Sequence, residues 1–154
     1  MRRVDELLDQ YSADHRNDTN QGIHLVCVPA IVWSVTAFLW VIPVPEFLGK
    51  PGSFAALAMF LAWLWYWRLS RKLAVGLLAC FVLSVLLNLW IATTWGMKSL
   101  LVLAVGVFVV AWVGQFIGHK VEGKRPSFLT DLVYLLVGPM WTLRKLYARL
   151  GIGY

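Results

Sequence analysis

The sequence predicts an all-α integral membrane protein: a four-helix antiparallel bundle with an amphipathic amino-terminal helix and a re-entrant or interfacial carboxy-terminal helix. Three observations carry that expectation. Of 154 residues, 60% are hydrophobic, only 14% are charged and nine are Trp, a composition outside the soluble globular range. Four apolar stretches approach the roughly 20 helical residues needed to cross a hydrocarbon core of about 30 Å. Lys and Arg also crowd alternate connections between those stretches, as they do when a chain crosses a membrane repeatedly.

Residues 1–22 carry Asp5, Glu6, Asp9, Asp14 and Asp18 against Arg2, Arg3 and Arg16, with Val4, Leu7, Leu8 and Tyr11 at helical spacing. This is the pattern of an amphipathic helix lying on a membrane or packed on the bundle. The segment is polar and the first apolar run begins too far in for a cleavable signal, so the arm is expected in the mature chain. The first span is expected over residues 24–44, with Pro29 inside it and Pro43 and Pro45 closing it. Proline is tolerated in a membrane helix where neighbouring groups satisfy the freed carbonyl. Residues 45–52 read as a turn. The second span, residues 53–67, is short and relies on its aromatic end Trp63-Leu-Trp-Tyr-Trp67 and on local bilayer thinning.

The third span, residues 73–95, follows the basic connection Arg68-Leu-Ser-Arg-Lys72, and the fourth, residues 100–117, follows Gly96-Met-Lys98. Residues 128–141 are apolar but short, and contain Asp131 and the Gly138-Pro139 break. They read as a re-entrant or interfacial helix over the mouth of the bundle, with Pro126 as a turn and Pro139 as a kink. One membrane domain of residues 1–154 is expected: an arm over 1–22, four spans within 23–117, and a cytoplasmic site loop plus capping helix over 118–154.

Charge sets the expected orientation. Lys and Arg number three in the arm, one after the first span, three after the second, one after the third and six after the fourth. With both termini in the cytoplasm, 12 basic residues lie inside and two outside, a strong positive-inside bias. The membrane is then the inner membrane of a bacterium or the endoplasmic reticulum of a eukaryote. The bilayer is the expected partner of the basic residues, and no nucleic-acid partner is expected.

This topology gathers the only three histidines, His15, His24 and His119, at the cytoplasmic face. If the fourth helix continues through Gly118, then Gln115, His119 and Glu122 share one face at i,i+4 and i,i+3 spacing. His15 and His24 would lie about 13 Å apart on opposite faces of an unbroken helix. They can share an ion only if the chain bends, and Asn17, Asp18, Asn20 and Gly22 permit a bend. Asp14 and Asp18 flank His15, and Asn20 lies four residues before His24. Asp18, Asn20 and Gln115 are thus the residues expected to orient the histidines. Cys27 and Cys80 lie in apolar segments and read as small buried hydrophobes, so neither a disulfide framework nor a thiolate site is expected. The plain alternative is a set of hydrogen-bonded interface histidines, with Glu122 a solvated charge among Lys120, Lys124 and Arg125. Convergence of all three histidines favours a metal site, and histidine with carboxylate but no thiolate suits Fe(II), Mn or Zn.

The segment His15-Arg-Asn-Asp-Thr-Asn-Gln-Gly-Ile-His24 followed by Pro29, and Gly118-His-Lys-Val-Glu-Gly-Lys-Arg-Pro126 followed by Gly138-Pro139, resemble the two signature regions of the small membrane proteins related to yeast 2-hydroxy fatty acid dioxygenase. The resemblance covers nearly the whole chain, because the four-span pattern between the motifs also agrees. It implies Fe(II)-dependent α-oxidation, in which a long-chain 2-hydroxy fatty acid and O2 give CO2 and the fatty acid one carbon shorter. It implies His15, His24 and His119 as catalytic iron-site residues, with Glu122 beside them. A 2-hydroxy carboxylate can chelate iron through its hydroxyl and one carboxylate oxygen. Arg16, Lys120, Lys124 or Arg125 could hold that carboxylate first. Two other classes fit the residues. A zinc-dependent membrane lipid hydrolase would use Glu122 as general base. A non-enzymatic carrier or scaffold would need polar midplane residues, for which Ser34, Thr36, Ser84 and Asn88 are weak candidates.

Overall fold

Caps and glycines set the helix boundaries in the computed structural model, which describes residues 2–125 and 133–154. Pro126 and the expected capping residues 128–132, Asp131 among them, lie outside the described residues. Six α-helices and one 3-10 turn follow in order, with no strand among the described residues: α1 (Arg3–Ala13), α2 (Asp18–Val41), the turn Glu46–Leu48, α3 (Ser53–Leu69), α4 (Arg71–Thr94), α5 (Met97–Glu122) and α6 (Val133–Arg149). The all-α class is as the composition predicts. Four helical stretches are long and apolar enough to cross a membrane: residues 18–41, 46–69, 71–94 and 97–122.

Two spans reach further towards the histidines than the hydropathy pattern suggests. Helix α2 starts at Asp18 rather than near residue 24, because the Asn17 side chain accepts the Thr19 and Asn20 backbone N–H groups, satisfying donors that a helix start leaves orphaned. The α1–α2 bend is confined to residues 14–17, and Asp18, Asn20 and Gly22 are helical. Helix α5 runs through Gly118 to Glu122 and is closed by Gly123 at φ +74°, the left-handed backbone that favours glycine after a helix. His119 and Glu122 therefore stand on the last turn of a span, not in a loop. Helix α3 has only 17 residues, and the preceding turn extends its apolar stretch to 24.

Helices α2 and α5 share the most extensive interface of the bundle, while α3 packs on α4 and α2, and α4 packs also on α2 and α5. The reason lies in Gly114 and Gly118, one turn apart on α5. A Cβ at Gly114 would stand 2.7 Å from Cys27 Sγ, and one at Gly118 would collide with Asn20 Oδ1. Small residues at this spacing let membrane helices approach closely. Large apolar side chains such as Val26, Leu61, Leu83 and Val110 point outward, as they do when lipid is the solvent.

Helices α1 and α6 form a layer over one end of the bundle. Val4, Leu8 and Tyr11 of α1 are buried in the core that includes Val137, Met140 and Trp141 of α6, the amphipathic face expected of the arm. Trp141 is wholly buried and its indole N–H donates to Ser12 Oγ at 2.9 Å. Tyr147 and Leu143 of α6 lie over the bare Cα of Gly76, and the Tyr147 hydroxyl donates to the Lys72 carbonyl at 3.1 Å, fixing α6 across the start of α4.

Candidate metal centre

Each histidine is delivered by a different piece of this architecture: His15 by the bend, His24 by the second turn of α2, His119 by the last turn of α5. The bend works because the end of α5 holds it. Glu122 Oε1 accepts the Arg16 backbone N–H at 2.9 Å, and Oε2 accepts the Asn17 N–H at 2.9 Å and Asn20 Nδ2 at 3.0 Å. Lys124 Nζ donates to Asp14 Oδ1 at 2.9 Å and to the Ala13 carbonyl at 3.2 Å. One carboxylate and one ammonium thus fasten both sides of a four-residue turn.

The three imidazoles are almost fully buried, at 1%, 1% and 5% exposure. Ring centroids are 4.4 Å apart for His15–His24, 5.1 Å for His15–His119 and 5.0 Å for His24–His119. His15 also stacks on the Tyr11 ring at 4.2 Å. Ligand nitrogens of all three lie within 4.8 Å of one another, an arrangement that could hold a metal ion.

The hydrogen bonds define which nitrogens are free. His15 Nδ1 meets the Tyr11 carbonyl at 2.7 Å and His24 Nδ1 meets the Asn20 carbonyl at 3.0 Å. A carbonyl oxygen only accepts, so both Nδ1 atoms carry the proton, and in the neutral rings both Nε2 atoms present lone pairs. Those Nε2 atoms face each other at 3.1 Å. Burial holds the His15 imidazole below the ordinary histidine range, opposing the proton that would otherwise bridge the pair. Among the described residues His119 Nδ1 is buried without a hydrogen-bond partner. A buried, acceptor-rich cluster of this kind fits a cation. Metal–imidazole bonds of about 2.0–2.1 Å place adjacent ligand nitrogens about 3 Å apart, close to the observed 3.1 Å.

A cavity of about 60 Å³ adjoins the cluster, lined by Tyr11, His24, Trp112, Gln115, His119 and Gly138 among others. Gln115 is buried on the same α5 face as His119, as its spacing predicts, but it leaves His119 Nδ1 unpartnered. Asn20 orients His24 through its backbone carbonyl and anchors Glu122 through its amide. Asp18 is exposed on the first turn of α2, where an acidic side chain complements the helix dipole. Glu122 is not among the groups whose ligand atoms converge, and both its oxygens already accept hydrogen bonds. Arg16, Lys120 and Arg125 are exposed and do not line the cavity. Tyr11, Trp141 and Gly138 were not singled out for the site by sequence reasoning. The i,i+4 spacing of Tyr11 and His15 was the available signal for the first; Gly138 was noted only as a helix break beside Pro139 and as the residue following the second signature region, and nothing local marked Trp141.

Six helices, four of membrane length, with three histidines buried where two spans meet an amphipathic cap, define a membrane protein equipped to bind a metal ion. The chain belongs to the Mpo1-like family, whose model, described as 2-hydroxy-palmitic acid dioxygenase Mpo1-like, matches residues 1–150. It is 32% identical over 143 residues to the 2-hydroxy-palmitic acid dioxygenase MPO1 of Saccharomyces cerevisiae, a match covering 92% of this chain and 78% of the yeast protein. No solved structure matches the chain.

Proposed function

We propose that this chain is an Fe(II)-dependent dioxygenase acting on long-chain 2-hydroxy fatty acids. The reaction takes the hydroxy acid and O2 to the acid one carbon shorter, CO2 and water. The C1–C2 bond breaks, C1 leaves as CO2, C2 rises to the carboxyl level, and O2 accepts the four electrons released. The observation that carries the metal part is the pair of buried Nε2 atoms facing each other at 3.1 Å with both Nδ1 protons committed to carbonyls. The substrate part rests on the family and on the yeast relative's name.

In this reading His15, His24 and His119 hold the iron, which when bound supplies the oxygen chemistry. Carbonyl partners of His15 and His24 fix ring tautomer and direction, as such partners do in metal sites. Tyr11 and Trp141 cover the cluster and keep bulk water from it. Gln115 presents its amide in the cavity, where it can donate to a substrate carboxylate or hydroxyl. Glu122 acts as the fastener of the His15 bend rather than as a ligand or general base. Arg16, Lys120 and Arg125 attract the anionic head to this face over a longer range. Both termini and the site lie on the cytoplasmic side of the membrane.

The deciding experiment is metal analysis of anaerobically purified protein, followed by O2 uptake with 2-hydroxypalmitate and mass detection of products. Stoichiometric iron, O2 consumption and pentadecanoate are expected. Bound zinc with no O2 uptake would overturn the reading in favour of a hydrolase, and a protein that binds no metal would leave a carrier or scaffold.

A further inference from the structure

The histidine cavity has room for the hydroxy-carboxylate head of a substrate but not for its hydrocarbon tail: about 60 Å³ against a long chain. The tail needs an apolar path beginning at the cavity wall. On the other side of that wall lies a groove of about 530 Å³ between α2, α4 and α6. Val28 and Val32 of α2 line both spaces. Across from Val28 stands Gly138, where an added Cβ would lie 3.6 Å from Val28 Cγ1 and 3.3 Å from the Tyr11 hydroxyl. The partition is therefore Val28 against the bare backbone of Gly138, with Val32 one turn further along α2.

The groove's lining suits hydrocarbon. Leu77, Phe81 and Leu87 of α4 face Pro29 and Trp33 of α2, with Leu143 of α6 above. From Leu77 to Leu87 the α4 wall descends about 15 Å along the helix, away from the α1–α6 layer and into the bundle. At the deep end Ser84 is bonded to Thr36 at 2.6 Å, with the Asn88 amide behind it at 3.3 Å from Thr36. A methyl terminus that reached this buried polar cluster would gain nothing by displacing those bonds.

We infer that the acyl chain of a single long-chain 2-hydroxy carboxylate crosses the Val28–Gly138 partition and lies in the α2–α4–α6 groove, and that Leu87 and Ser84 at its floor set the preferred chain length. The inference rests on the dioxygenase reading only for the chemistry of the head. The groove's occupancy is measured separately from turnover.

The test uses iron-loaded full-length protein in lipid nanodiscs and a 2-hydroxy acid carrying a diazirine at its tail end. Labelling is expected on α4 between residues 77 and 87, and to be displaced by excess 2-hydroxypalmitate. Labelling at Trp112 and Leu135, on the other side of the cavity, or spread over the lipid-facing surface, would overturn the inference. A second variant reads the same point by kinetics. Leu87 is 41% exposed, so Leu87→Trp fills the floor of the groove without entering the closed core. It should shift the kcat/KM ratio of 2-hydroxypalmitate to 2-hydroxydecanoate about tenfold or more towards the shorter acid, in the range that misfit by a methylene produces. An unchanged ratio in a folded variant would overturn the inference. Groove labelling in a protein that consumes no O2 would sink the dioxygenase reading and leave the groove. Turnover with labelling elsewhere would do the reverse.

Discussion

Two buried polar clusters share helix α2, one formed with α4 and the other with α5 and the α1–α2 bend, and they differ in their hydrogen-bond accounts. Deep in the bundle, Thr36 Oγ1 donates to the Trp33 carbonyl at 2.8 Å, while Ser84 Oγ at 2.6 Å and Asn88 Nδ2 at 3.3 Å can both donate to it. One oxygen thereby uses its proton and both lone pairs, and only Asn88 Oδ1 is left over. At the other end of α2 the histidine cluster has the opposite balance. Its Nδ1 protons leave for the Tyr11 and Asn20 carbonyls, and the facing Nε2 atoms have only lone pairs to offer. Buried polar groups that satisfy one another serve as glue between helices, whereas buried acceptors that face one another need a cation. Composition alone does not separate the two; the count of donors against acceptors does.

The sharpest way to break this comparison is to remove a lone pair from the acceptor-rich end. His24→Ala should reduce bound iron to background, and O2 uptake with it, by more than the 10–100-fold that follows loss of a residue that only orients a ligand. Metal analysis and oxygen electrode traces on the folded variant check this, and stoichiometric iron in His24→Ala would remove the cluster from the chemistry. Glu122→Ala comes next. Its carboxylate touches no histidine but fixes the Arg16 and Asn17 amides and the Asn20 side chain, so a 10–100-fold loss of iron affinity is expected. At saturating iron, kcat should recover to within a few-fold. Glu122→Gln keeps one acceptor oxygen and should fall between. A kcat that stays low at saturating iron would mean Glu122 works at the metal after all.

The histidine end was more legible in the sequence than the fold that supports it. Three histidines with polar companions at helical spacing, sorted to one face by the Lys/Arg bias, marked the site, and the need for a bend between His15 and His24 followed from helix geometry alone. The location of that bend did not follow. Asn17, Asp18, Asn20 and Gly22 all permit a turn, and the choice of residues 14–17 comes from Glu122, more than a hundred residues away, gripping two backbone amides. Such a contact is tertiary and leaves no local trace. Gly118 was read as a residue the helix must pass through and as the start of the second signature region; that Gly114 and Gly118 seat α2 against α5 became visible only with the partner helix in place. The tryptophans illustrate the same limit, since Trp90 and Trp95 are exposed as interfacial residues are, while Trp141 is wholly enclosed beside His15.

A smaller perturbation acts on the α2–α5 contact that carries His24 and His119. Gly118→Ala places a methyl against Asn20 Oδ1, and Asn20 cannot retreat without releasing Glu122. Overpacking of this kind costs about 1–3 kcal/mol, to be read as a lowered unfolding midpoint in detergent. Because the displaced side chain belongs to the Glu122 grip, iron affinity should fall in the same variant. Gly106→Ala, on the same helix with open space around it, should change neither quantity.

The weakest effect belongs to the self-satisfied cluster, and its internal order is the more informative part. Ser84→Ala removes one donor to Thr36 and leaves the threonine bonded to Trp33 and Asn88, so a loss near the 0.6 kcal/mol average for interhelical membrane hydrogen bonds is expected. Thr36→Val removes the shared atom and strands both Ser84 Oγ and Asn88 Nδ2, so its loss should approach the upper end of that range, about 1.7 kcal/mol. Iron content should stay stoichiometric in both, because neither residue touches the histidines. Unfolding midpoints in detergent separate the variants. If Thr36→Val proved no worse than Ser84→Ala, Thr36 would not be the hub, and the contrast between a cluster that closes on itself and one that needs a cation would lose its structural half.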